Sequence, residues 1–136
     1  MAKILYALIA GFSLIACSTS TPKDFKAGSF QCDRCKMNIV DMPFKTEAVT
    51  VKGKYLHFDS VECLANWMHE HGADIKIAWV TDYFHPTQWI DFTKAFILHS
   101  QTLKSPMGAY LSAYATREDL ERAKQTFGGE ETTLTP

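Results

Sequence analysis

Between Gln31 and Asn38 the chain sets two thiols, Cys32 and Cys35, three positions apart, and a thioether, Met37, two residues beyond the second. Thiolate and thioether sulfurs are soft donors, and the metal that accepts both together is monovalent copper. Zinc, which also takes C-x-x-C pairs, has little use for methionine sulfur. A structural disulfide would make no demand on Met37. The pattern points to Cu(I), and the C-x-x-C spacing lets Cys32 and Cys35 converge on one ion. A second methionine, Met107, lies in Ser105-Pro106-Met107-Gly108, a turn context poorly suited to filling a core. It stands ahead of a strand in the second half much as Met37 does in the first, so an ion bridging the two halves follows.

Two other chemistries use the same thiols. A thioredoxin-like pair opens a helix after a strand. Here Met37 to Pro43 carries no helical stripe and meets Pro43 early, which weakens a thiol–disulfide oxidoreductase using Cys32 and Cys35 without removing it. A structural zinc site would take Cys32, Cys35 and Cys63 with a histidine. On its own terms Cys63, beside the apolar stripe of a predicted helix, reads as a small buried hydrophobe, and Met42 and Met68 read as packing. The five histidines, His57, His69, His71, His85 and His99, lack the paired helical spacing of a zinc peptidase, and none stands out as a ligand. There is no nucleophile elbow, phosphate-binding glycine loop or dinucleotide fingerprint, so a catalytic reading has only the cysteines to rest on.

The elements that must position these sulfurs begin after a targeting segment. Residues 1–16 carry Lys3, then an apolar run closing in Leu14-Ile15-Ala16 ahead of Cys17. This is the pattern of a bacterial lipoprotein signal, and it implies lipidation of Cys17. The run is too short to span a bilayer, which takes roughly 20 apolar residues. The mature chain is expected in the cell envelope, lipid-anchored and facing the periplasm. Residues 17–30 are polar and aperiodic, a flexible tether. A net charge of −1 over 136 residues argues against nucleic acid or an electrostatic grip on lipid. With Cys17 assigned to lipid three thiols remain, an odd count that leaves one unpaired if they are only structural.

Residues 31–136 form one α+β domain with two similar lobes, about 31–80 and 89–130. In the first, Glu47 to Val51 and Tyr55 to Phe58 alternate around a Lys52-Gly53-Lys54 turn. Asp59 with Glu62 then reads as a capping box for a helix running to His71. Gly72 stops it, and Ile75 to Val80 reads as a buried strand. In the second, Ala95 to His99 and Ala109 to Ala115 are strands, and Thr116 with Asp119 caps a helix that Gly128-Gly129 ends. A short polar tail runs from Glu130 to Pro136. The aromatic-rich connection Thr81 to Asp91 is expected to pack across the lobe interface.

Several separated pieces resemble the nitrous-oxide-reductase accessory lipoprotein family, NosL. They are Cys35-Lys36-Met37; Phe58-Asp59-Ser60-Val61-Glu62-Cys63-Leu64; Trp67-Met68; Val80-Thr81-Asp82-Tyr83; Trp89-Ile90-Asp91; Ala95-Phe96; Met107-Gly108; and Phe127-Gly128-Gly129. The resemblance implies a lipid-anchored copper chaperone, not an enzyme, with two ββαβ lobes and one sulfur-bound Cu(I). Its partners would be nitrous oxide reductase or the assembly and transport machinery of that enzyme. Carried over by position, the ligands are Cys35, Met37 and Met107. Cys32 departs from the family pattern: the extra thiol either tightens binding or closes a disulfide with Cys35 that blocks metal until reduced.

Overall fold

The computed structural model describes residues 19–134. The expected signal (1–16) and the lipidation site Cys17 lie outside the described residues. Among the described residues no helix is long and apolar enough to cross a membrane.

The first lobe is a hairpin, β1 (Thr46–Thr50) and β2 (Tyr55–Phe58), then a helix, α1 (Val61–His71), and a return strand, β3 (Ile75–Thr81). The hairpin turns at Gly53, whose φ of +83° lies in the left-handed region that glycine occupies without Cβ strain. β1 sits at the centre, antiparallel to both neighbours, so Ala48 faces Leu56 on one side and Ala78 on the other. Alternation puts Ala48, Leu56, Phe58, Ala78 and Val80 into one core with Val61, Leu64 and Met68 of α1. Each large apolar side chain fully buried there contributes ~1.5–3 kcal/mol of transfer free energy.

The second lobe repeats the scheme: β5 (Phe96–His99), β6 (Leu111–Tyr114), α2 (Arg117–Phe127) and β7 (Glu130–Thr132), ordered β6-β5-β7 as the first is ordered β2-β1-β3. The two ββαβ lobes expected from the sequence are present. Ile97, Leu111 and Ala113 point into the core shared with the first lobe, whereas Leu98 and Tyr114 pack under Leu120 and Ala123 of α2. Two details differ from expectation. Residues 130–132, expected in a polar tail, form β7. Gly129 makes that pairing possible, because a Cβ there would lie 2.2 Å from the His99 carbonyl oxygen. Also, β4 (Trp89–Asp91), at the expected start of the second lobe, hydrogen-bonds to β3 and extends the first sheet.

The connection between the lobes packs across them as expected. Asp82 is buried; its Oδ2 accepts from the Ala115 amide at 2.7 Å, and the Tyr83 amide donates to Ala113 O at 2.9 Å. Tyr83 and Phe84 pack against Tyr114 and Phe127, edge-on or tilted except for the Phe84–Phe127 stack. The segment before residue 31 meets the body, with Lys76 of β3 donating to Ser20 Oγ at 3.4 Å. Tyr55 donates to Thr21 O, the Lys23 amide donates to Glu47 Oε1 at 2.8 Å, and Phe25 packs edge-on against His57. Glu47 is fully buried on the face of the first sheet that this segment covers, with His57 Nε2 3.1 Å from its second oxygen.

Candidate metal centre

Cys32, Cys35 and Met37 sit on a tight loop closed by the antiparallel bridge Gln31–Asn38. The Cys32 amide donates to Met37 O (2.8 Å), and the Lys36 amide donates to Cys32 O (2.9 Å). Lys36 takes a φ of +66°, a left-handed conformation that costs a non-glycine residue roughly 1–2 kcal/mol. The reversal this makes between Cys35 and Met37 closes the loop. Asp33 fastens it to β2: its amide donates to His57 O and its Oδ2 accepts from the His57 amide, both at 2.8 Å. Two residues past His57 the chain leaves β2 at Asp59 and enters α1.

That exit brings a second set of donors to the loop. Sγ of Cys32, Cys35 and Cys63 and a carboxylate oxygen of Asp59 lie within 4.8 Å of one another. Cys32 and Cys63 are fully buried and Cys35 is partly exposed. Cys35 donates its thiol proton to Asp59 Oδ2 at 3.3 Å. Ser60, not the expected Asp59, is the N-cap of α1, accepting from the Cys63 amide at 3.2 Å, while its hydroxyl donates to Asp59 Oδ1 at 3.1 Å. Asp59 is thereby turned towards the thiols instead of the helix. The three described cysteines are free thiols.

The thiols are not electrostatically equivalent. Hydrogen bonding from Cys63, helped by the backbone amides of Cys35, Asp59 and Arg34, outweighs burial and draws Cys32 down to about 6. Burial, with the neighbouring Asp59 and Cys32, pushes Cys35 up to about 11. Cys63 is also pushed up, first because it donates to Cys32 and then by burial. The cluster thus holds one readily formed thiolate and two thiols whose protons a soft cation would displace.

Met37 and Met107 are on the surface, 53 % and 39 % exposed, so both thioethers are open to solvent. Met37 lines a hollow of about 200 Å³ with Asn38, Val40, Asp41, Asp59 and Pro106. Asp59 therefore reaches both the thiol cluster and this hollow, and Pro106 brings the Met107 turn to its rim. That turn is anchored to α1. Glu62 Oε1 accepts from the Ser105 hydroxyl and, at 3.3 Å, from the Ala109 amide; Ser105 Oγ in turn accepts from the Tyr110 amide at 2.8 Å. Glu62 adjoins Cys63, so a single helical turn holds a thiol of the cluster and the strut for the second lobe's methionine. The expected capping-box role of Glu62 is replaced by this link.

Of the residues expected at the site, Cys32 and Cys35 come together, Met37 lines the hollow beside them, and Met107 is exposed next to Pro106 at its rim. The sequence gives Asp59 and Glu62 only a capping role and places Cys63 with the thiols only in the zinc alternative; the run from Phe58 to Leu64 is the signal, since it sets all three within one turn. Among the described residues no histidine joins the thiol group. A second group, Asp82, His85 and Asp119, is close enough to hold an ion. Asp82 is already engaged by the amides of Phe84, His85 and Ala115, and Asp119 by Thr116 and Arg122, so that group reads as the latch of the lobe connection.

The NosL family matches residues 23–135. A solved structure, that of the copper chaperone NosL from Shewanella denitrificans, superposes with a TM-score of 0.71 at 20% sequence identity, covering 84% of this chain and 95% of that one. At that identity the likeness speaks to the fold. No curated protein matches the chain.

Proposed function

The chain belongs to the NosL family, and on that premise we propose that it is a copper chaperone, a carrier that holds one Cu(I) on sulfur and hands it on. The observation that carries the reading is the meeting of Cys32, Cys35 and Cys63 beside a surface hollow bordered by exposed methionine. Soft donors of this kind suit Cu(I), and the solved neighbour described as a copper chaperone shares the fold. Cys35, Met37 and Met107, with Cys32, are the ligands of this reading.

A carrier must bind firmly yet release. Sulfur donors hold Cu(I) against water, while an exposed pair of thioethers leaves room for an acceptor's ligands to enter one at a time. Protons compete for the same sulfurs, so affinity falls as pH falls. The anchor is lipid on Cys17, the location is the periplasmic face of a bacterial membrane, and the client is nitrous oxide reductase or its assembly and transport machinery.

The competing thiol–disulfide enzyme needs an accessible attacking thiolate. Cys32, the thiol most easily ionised, is fully buried, and the loop after Cys35 does not start a helix. The test is a competition titration with a Cu(I) chelator under reducing conditions, paired with a disulfide-reductase assay. About one Cu(I) per chain, its retention lost on Cys35→Ser, and no disulfide turnover support the chaperone. Disulfide turnover without copper retention would reverse the assignment.

A further inference from the structure

The ligand set above leaves Cys63 without a role, and as mere filling it is oddly provided for. A buried thiol acting as a small hydrophobe needs neither a second thiol beside it nor a carboxylate and a guanidinium close by. Cys63 has all three. Its Sγ lies within 4.8 Å of Cys32 Sγ, Cys35 Sγ and a buried Asp59 oxygen. Arg34, held at its far end by Glu70 at 3.0 Å, lies near enough for its guanidinium to interact with Cys63.

The spacing also suits an ion. Three sulfurs around one metal at roughly 2.3 Å stand about 4 Å apart, so the cluster needs little contraction to close. Asp59 lines the surface hollow and accepts the Cys35 proton, which makes the hollow, Asp59 and Cys35 an entry route to the buried pair.

We propose that the chain has a second, inner Cu(I) position built from Cys32 and Cys63, with Cys35 shared between it and the outer position of Met37 and Met107. This rests on the copper-carrying reading and extends it: copper is held on three thiolates inside and exchanged on two thioethers outside, with Cys35 as the pivot. Each Cu–S bond made at a thiol of Cys32, Cys35 or Cys63 releases that thiol's proton and moves no electron. Arg34 offsets part of the negative charge that accumulates.

The test uses Met37→Ala/Met107→Ala, two exposed positions whose loss leaves the core intact. Loaded with Cu(I) under reducing conditions, this variant keeps one copper within about tenfold of the wild-type affinity. Adding Cys63→Ala weakens it at least about 100-fold, the upper end of what even a supporting partner of a metal ligand is worth. X-ray absorption of the Cu(I)-loaded Met37→Ala/Met107→Ala protein, which needs no substitution in the core, shows three sulfurs at thiolate distance. Loss of copper from that variant while the wild type retains it overturns the inner position and leaves the copper reading standing. A wild-type protein that holds no Cu(I) overturns both.

Discussion

Replacing Glu62 with alanine separates the support of the Met107 turn from the metal ligands themselves. Glu62 Oε1 accepts from Ser105 and Ala109, tying the second lobe's turn to the first lobe's helix. Hydrogen bonds to a charged acceptor contribute ~1.5–3 kcal/mol each, and removing the carboxylate leaves the Ser105 hydroxyl and the Ala109 amide to find water. Against that, Glu62 is buried with Oε2 unpartnered among the described residues, so part of its desolvation cost is relieved. The net expectation is a loss of about 2–3 kcal/mol, read by urea unfolding as a lower midpoint at constant slope. Copper affinity should fall as far as it does for Met107→Ala, because the thioether loses its fixed position. The decisive assay is a double-substitution cycle in Cu(I) competition: Glu62→Ala/Met107→Ala should bind no worse than Met107→Ala, a coupling of at least ~1 kcal/mol. Additive losses would show that Glu62 does not act through the methionine, and the proposed link between the lobes at the metal site would fail.

Gly129→Ala should destabilise the fold by more than ~2 kcal/mol, since its Cβ would strike the His99 carbonyl and part β7 from β5. Gly53→Ala, also left-handed but with open space around it, should cost only about 1 kcal/mol; equal melting temperatures for the two would contradict this. Burial pushes Tyr114 up to about 12 from 10.0. A raised folded-state value means its contribution is intact below pH 10 and lost as pH climbs from there towards 12. Tyr114→Phe should therefore flatten the alkaline fall in stability by up to about 2 kcal/mol, and an unchanged alkaline limb in pH-dependent unfolding would refute that.

Local chemistry made much of this fold legible. The β2 segment Tyr55–Phe58 alternates and follows a glycine turn, and Thr116 with Asp119 caps α2 as its spacing suggests. The Cys-x-x-Cys-x-Met loop is contiguous, so its chemistry is visible in one line of sequence. What remained hidden depends on contacts between distant segments. β7 is an edge strand of two glutamates and a threonine, with no apolar alternation to mark it. Asp59 looks locally like a helix cap, because nothing local says that Cys35 comes to within 3.3 Å of its carboxylate. Cys63 reads as core by its helical position and is in fact buried; only the docking of Asp33 on His57 reveals two further thiols beside it. Glu47, a charged residue in an alternating strand, gave no sign that the segment around Lys23 and Phe25 would bury it completely.

Cys35 belongs to both copper positions, which makes its sulfur the point where the account is most exposed. X-ray absorption on the protein loaded with one equivalent of Cu(I), beside Cys35→Ser prepared identically, tests it directly. The wild type should show a first shell of sulfur alone, and the variant should lose its copper to the chelator. A nitrogen- or oxygen-dominated shell, or a Cys35→Ser protein that keeps its copper unchanged, would contradict it.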